Sequence, residues 1–216
     1  MMFQPSDKFG YWAIKLAAAC IVVFLLSIMF PEIVTEFRLV SALAVARPWT
    51  LITKIFLHGD WLHLIYNMLG LLLFGSILEK LVGQRTFLIV FFASGLAAGI
   101  GSLAFYSSTI GASGAIFGVM GCLAIIRPKQ LAWALGIPMP MLAAAVVWAS
   151  LDFALFFSAD NIAHASHLIG LAAGVVIGLE LRGRMPRIRK QESHGSDEEV
   201  TEQMLDEWER RWMNPQ

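Results

Sequence analysis

A serine stands in the notch Gly111-Ala112-Ser113-Gly114, at the mouth of the apolar run 115–121. Small neighbours let a ligand approach the backbone closely and leave the hydroxyl and nearby N–H groups uncrowded. Far along the chain, His167 opens a second apolar run, and His63 and Asn67 lie four apart in a third. These are the residue types that acyl transfer needs. A serine hydroxyl is a poor nucleophile until a base takes its proton, and neutral histidine can do so near neutral pH. The tetrahedral intermediate then needs donors for its oxyanion, for which Asn67, His63 and the Ser113 N–H are candidates. Alone, Gly-x-Ser-Gly is equally well a helix-packing serine. The weight rests on where the other groups fall.

Those groups must be held by membrane helices. The chain is 57% hydrophobic and 15% charged, with a mean hydropathy of +0.67, outside the balance of soluble domains. Its 216 residues read as one polytopic all-α domain. A net charge of zero offers nothing to nucleic acid. Cys20 and Cys122 both lie in apolar runs, as small buried hydrophobes, and give neither a disulfide framework nor a cysteine metal site. Lys8 and Lys15 ahead of the run 16–30 resemble a signal peptide, but only Pro31-Glu32 follows, so this is a retained first helix.

Six spans are expected, at about 11–30, 61–79, 86–106, 113–126, 131–157 and 163–181. Residues 31–60 mix apolar side chains with Glu32, Glu36, Arg38, Arg47 and Lys54 and read as a partly helical segment lying in the interface. Lys80, Arg85, Arg127, Lys129, Arg182, Arg184, Arg187, Arg189 and Lys190 follow alternate spans. By the positive-inside rule these ends and both termini are cytoplasmic, and the three basic residues of 31–60 are the one exception to the alternation.

Depth brings the polar groups together. The fourth span covers roughly 21 Å, short of the ~30 Å hydrocarbon thickness. Ser113 then sits below the outer surface, where irregular backbone requires protein or a hydrated pocket around it. Counted from the inner basic residues, Ser113 is 14 positions above Arg127, His167 is 15 above Arg182, and Asn67 and His63 are 13 and 17 above Lys80. Three helices deliver polar side chains to one slab, and His63 and Asn67 share a helix face. Asp152 is the only acid in an outer half-span. An acidic third member could orient the histidine, but Asp152 is read in preference as a hydrogen-bonding group near the end of span five, and the chemistry is assigned to a Ser–His pair. His164 and His167 could ligate a metal in principle, but no carboxylate or thiolate is expected near them. His58 is read as an interfacial or structural histidine. Neither His-Glu-x-x-His nor a pair of intramembrane aspartates is present.

Glycines at 95 and 99, at 114 and 118, and at 170, 174 and 178 recur at four-residue intervals, as helix-packing faces. Beyond the spans, Val200, Met204, Leu205, Trp208 and Trp212 share one face of an expected amphipathic helix, with Ser196 able to cap it.

Taken together, His58-x4-His63-x3-Asn67, Gly111-Ala112-Ser113-Gly114 and Ala163-His164-x2-His167-x2-Gly170-x3-Gly174 resemble the rhomboid intramembrane serine proteases. The resemblance covers spans one to six. It implies a six-transmembrane-helix bundle around a water-filled cavity open to the outside. It also implies Ser113 as nucleophile, His167 as general base, and His63 and Asn67 in the oxyanion hole. Where many members have Trp-Arg in the first loop, this chain has Trp49-Thr50, so the loop's anchoring differs. The expected organisation is a cytoplasmic segment 1–10, a membrane domain 11–183 and a charged cytoplasmic tail 184–216. The expected activity is a serine endopeptidase, without metal or organic cofactor. It would cut single-span membrane proteins and reside in the lipid bilayer of a prokaryotic cytoplasmic membrane. The resemblance further implies a small residue before the cut and a helix weakened nearby by Gly or Pro. The rival is a catalytically silent relative that binds and escorts membrane proteins; such relatives usually lack the serine or the histidine. Oligomeric state and natural substrate are not readable from the sequence.

Overall fold

In an apolar medium a backbone is satisfied only by its own hydrogen bonds, so the apolar runs of this chain become helices. A computed structural model describes residues 10–134, 136–158 and 162–184. In chain order, α1 (Trp12–Met29) leads to a first loop holding α2 (Glu32–Phe37), β1 (Leu39–Val40) and α3 (Thr50–Thr53). α4 (Trp61–Gly70) continues through a π-helical stretch at Leu71–Gly75 into α5 (Ser76–Val82). Next come α6 (Gln84–Ser102), β2 (Ser108–Thr109) and α7 (Ser113–Ile126). β3 (Leu131–Ala134) pairs with β4 (Ile137–Pro140) before α8 (Met141–Ala154), and α9 (His164–Arg184) closes the described chain.

Among the described residues, four helices are long and apolar enough to cross a bilayer: α1, the continuous helix Trp61–Val82, α6 and α9. The apolar helices α7 and α8 are shorter, at 14 residues each. The chain is thus a multi-pass membrane protein. One expected boundary is corrected: the fifth span does not start at 131. Pro138 and Pro140 lack the N–H that a helix interior needs, so Leu131–Ala134 and Ile137–Pro140 pair as strands and the helix begins only at Met141. The expected tail helix, Ser196 included, lies outside the described residues.

The core is packed by Leu71, Leu78, Phe87, Phe91 and Leu123, all fully buried. At the end of the bundle away from Ser113, Glu79 is 1% exposed. Its carboxylate accepts the backbone N–H groups of Gly10, Trp12 and Ala13 at 3.0, 3.0 and 3.1 Å. A buried acid is tolerated there because it satisfies the free donors of the α1 N-terminus and complements its dipole.

At the other end, the first loop is tied to the segment that carries Ser113. Leu39 and Val40 pair antiparallel with Thr109 and Ser108, Ser41 N–H donates to the Ser107 carbonyl at 3.0 Å, and Gly111 N–H to the Lys54 carbonyl at 2.8 Å. The sequence reading of a partly helical first loop missed this ladder, because a two-residue strand carries no periodicity. Thr50, where an arginine was the family expectation, is buried and donates its hydroxyl to the Arg47 carbonyl at 2.7 Å. Arg47 in turn pairs with Glu36 at 3.1 Å, an ion pair within the same loop.

The glycine faces pack as expected. Gly114 and Gly118 on α7 meet Gly170 and Gly174 on α9 backbone to backbone: a Cβ on Gly170 would stand 2.0 Å from the Gly114 carbonyl oxygen. That approach brings the first turns of α7 and α9 side by side.

Candidate active site

Ser113 is the first residue of α7, so its N–H has no acceptor within the helix. Gly111, two residues earlier, has φ of 111°, a left-handed conformation natural to glycine. A Cβ there would stand 2.7 Å from His63 Nε2 and 3.8 Å from Ser113 Oγ. The imidazole of His63 therefore lies against this turn, beside the serine. α4 starts two residues before His63, where Asp60 caps it by accepting the His63 N–H at 2.8 Å.

His164 and His167 occupy the first turn of α9 and, three apart, point the same way. His167 Nε2 lies 2.8 Å from Ser113 Oγ. Its other nitrogen, Nδ1, lies 3.0 Å from Asp152 Oδ1, and His164 Nδ1 is 2.5 Å from that same oxygen. The His167 ring stacks on Phe117, with centroids 4.5 Å apart and planes 13° from parallel. Trp148 meets the Phe117 ring edge-on at 6.5 Å. Ser113 and His167 are half-buried and Asp152 is buried. A hydroxyl on one imidazole nitrogen, with a carboxylate on the other, can move a proton from oxygen to nitrogen as the oxygen attacks an electrophile.

Asn67, one turn beyond His63, is buried and donates one amide hydrogen to the His63 carbonyl at 2.7 Å. The amide keeps a second hydrogen for another acceptor. His58 is fully buried with its ring edge-on to His63, centroids 5.1 Å apart. Burial, reinforced by His63, pushes it down to about 4, so it is a neutral structural histidine at physiological pH. Lys54 is 2% exposed, and burial pushes its ammonium down to about 8.

Two expectations are revised. A carboxylate does stand beside His164 and His167, and Asp152, expected as a hydrogen-bonding group, bonds both rings, which is the arrangement of the less favoured reading, an acid orienting the histidine. Asp152, His164 and His167 are also the one group of potential metal ligands among the described residues, their donor atoms within 4.8 Å of one another. Both Nδ1 atoms lie at hydrogen-bonding distance from one carboxylate oxygen, so the three side chains are joined by their own hydrogen bonds. Phe117 and Trp148 were not singled out from the sequence. Both stand four residues from a site residue, at Ser113+4 and Asp152−4, and that spacing was the available signal.

Residues 45–184 match the family model of the rhomboid domain, and the chain belongs to the rhomboid family. The six apolar helices among the described residues, four long and two shorter, are consistent with the six-helix membrane bundle of that family. The rhomboid protease GluP of Bacillus subtilis is 33% identical over 139 residues, covering 62% of this chain and 26% of that protein. The putative rhomboid protease YdcA of the same organism is 31% identical over 157 residues, covering 69% of this chain and 74% of that one. The rhomboid protease GlpG of Yersinia pseudotuberculosis is 25% identical over 130 residues, covering 60% and 46%. The chain thus spans from about a quarter to about three quarters of the length of these relatives.

Proposed function

We propose that this protein is an intramembrane serine endopeptidase that cuts single-span membrane proteins within or beside their membrane segment. The observation that carries the reading is the 2.8 Å approach of Ser113 Oγ to His167 Nε2 across two helices. As Oγ attacks the peptide carbonyl carbon, Nε2 takes its proton, and the carbonyl π electrons move onto the oxygen. The proton then passes to the leaving amine as the C–N bond breaks, leaving an acyl ester on Ser113. Water, deprotonated by the same nitrogen, hydrolyses that ester. The Ser113 N–H, the His63 ring and the second Asn67 amide hydrogen are donors for the oxyanion.

A substrate helix hides its carbonyls in its own hydrogen bonds and must unwind before attack, so segments weakened by Gly or Pro are the preferred targets. The basic residues after alternate spans orient the membrane domain, 11–183, with both termini and the 184–216 tail in the cytoplasm and the serine toward the outside. A prokaryotic cytoplasmic membrane fits this arrangement. The chemistry calls on no metal or organic cofactor.

The test is cleavage of a single-span model substrate by the purified full chain in detergent, with fluorophosphonate labelling of the serine. Wild type should cleave and be labelled at Ser113, and Ser113→Ala and His167→Ala should do neither while unfolding at the wild-type temperature. Binding without cleavage or labelling by wild type would favour the escort reading instead.

A further inference from the structure

We propose that Asp152 and His164 are positioning residues that hold His167 as the base, so that the site is a chain Ser113–His167–Asp152–His164 rather than a pair. The inference rests on the protease reading above and extends it to two residues that touch neither substrate nor serine.

Phe117 lies flat on the His167 ring and so fixes its plane. Stacking does not fix its flip: a half-turn about Cβ–Cγ exchanges Nδ1 with Cδ2 and leaves the stacked area unchanged. The hydrogen bond to Asp152 removes that freedom, because only one flip brings Nδ1 to Oδ1. It also selects the tautomer. An ionised carboxylate only accepts, so hydrogens reside on Nδ1 of both rings, and His167 Nε2 is left with its lone pair 2.8 Å from Ser113 Oγ. When Nε2 takes the serine proton, the ring gains a positive charge beside a buried carboxylate.

His164 serves Asp152 in turn. The carboxylate is 5% exposed, and its second oxygen has no hydrogen-bond partner among the described residues. Among the described residues the two imidazoles provide its bonds. His164 is well placed for this: it is buried, three residues from His167, and its outer nitrogen lies 3.5 Å from the Ser158 hydroxyl. Among the described residues, the groups that face His167 are Asp152 from α8, Ser113 from α7, His63 across the serine from α4, and His164 from its own helix. Next to them, α6 presents the Ala98 carbonyl to the Ser166 hydroxyl, and the Tyr106 hydroxyl accepts the Ala165 N–H.

The experiment is kcat and KM against pH, from 5 to 9, for full-length wild type, Asp152→Asn, His164→Ala and His164→Asn on the same single-span substrate. Asp152→Asn keeps the shape and removes the charge. It should lower kcat by ~10²-fold with KM little changed, and move the acid limb of kcat/KM down by about one pH unit. His164→Ala leaves the carboxylate to His167 alone, which strengthens its hold on the protonated ring, and should move the acid limb the other way, upward. His164→Asn returns an N–H near the lost Nδ1 and should restore the wild-type limb. A merely structural role would move none of these limbs. Acid limbs unmoved in both Asp152→Asn and His164→Ala, with wild-type Ser113 labelled, would overturn the proposal. Should Asp152→Asn not fold, the two His164 variants decide alone by the same criterion. A wild-type Ser113 that neither cleaves nor labels sinks the protease reading itself, and the chain with it.

Discussion

The Gly174 Cα on α9 lies so close to the Gly118 carbonyl on α7 that an added Cβ would stand 1.8 Å from that oxygen. Backbone meets backbone there, and neither side can yield by turning a side chain. This contact sits about one and a half turns below Ser113 along α7 and two turns below His167 along α9, and fixes how near the two helices come.

Gly174→Ala should therefore push α7 and α9 apart, cost the ~1–3 kcal/mol of stability typical of overpacking, seen as a lower unfolding temperature, and abolish most cleavage. Gly183→Ala, where nothing lies within 4 Å, is the control and should be neutral or slightly stabilising. Thermal unfolding and cleavage measured together check both. A Gly174→Ala enzyme of normal activity would show that the contact does not set the site.

Glu79 should matter for stability and little for chemistry. Glu79→Ala strips the cap from three backbone N–H groups, leaving those of α1 without a partner. A loss of about 2 kcal/mol is expected, at the upper end for a helix cap. Glu79→Gln, which retains an acceptor, should lose less. Unfolding temperatures of the three proteins give the order, while kcat below the transition should stay near wild type.

Lys54 links stability to pH. Its ordinary value is 10.5, and burial brings it to about 8 in the fold. Between those values the unfolded chain holds a proton that the folded one has released, so this group makes stability rise with pH through the window. Below pH 8 the ammonium is charged in both states and the full cost of burying it is felt, on the order of 3 kcal/mol for such a shift. Lys54→Met should thus unfold at a higher temperature than wild type at pH 7, and its advantage should shrink as pH rises from 8 toward 10. An advantage independent of pH would show that packing, and not the charge, is responsible.

Asn67→Ala should lower kcat with little change in KM, because a donor to the oxyanion strengthens only as charge develops. Removing one such donor costs roughly 10²–10³ in rate, and less is expected here because His63 and the Ser113 N–H share the load. A raised KM at constant kcat would make Asn67 a substrate-binding residue. A collapse in unfolding temperature would make it structural, through its bond to the His63 carbonyl.

Much of this protein was decided by the sequence alone. Apolar runs in a non-aqueous medium have one backbone solution, so the membrane helices followed from composition and length. The 14 residues from Ser113 to Arg127 and the 15 from His167 to Arg182 put two reactive groups at one depth, since rise per residue is constant along a helix. Glycines four apart marked α7 and α9 as helices with close-packing faces for the same reason of period, and the fold paired the two. Rotation about the helix axis is another matter. Depth can be counted along the chain, whereas the direction in which Asp152 points depends on how α8 sits against α7 and α9. Only the packed structure turned it toward His164 and His167 and made a carboxylate part of the site. The β1–β2 ladder was likewise decided by tertiary structure, because a two-residue pairing between positions 39 and 109 has no local signal. The strand pair Leu131–Ala134 and Ile137–Pro140 lay between the two cases: Pro138 and Pro140 announced it locally, but their apolar neighbours matched a span equally well until the fold placed the helix start at Met141.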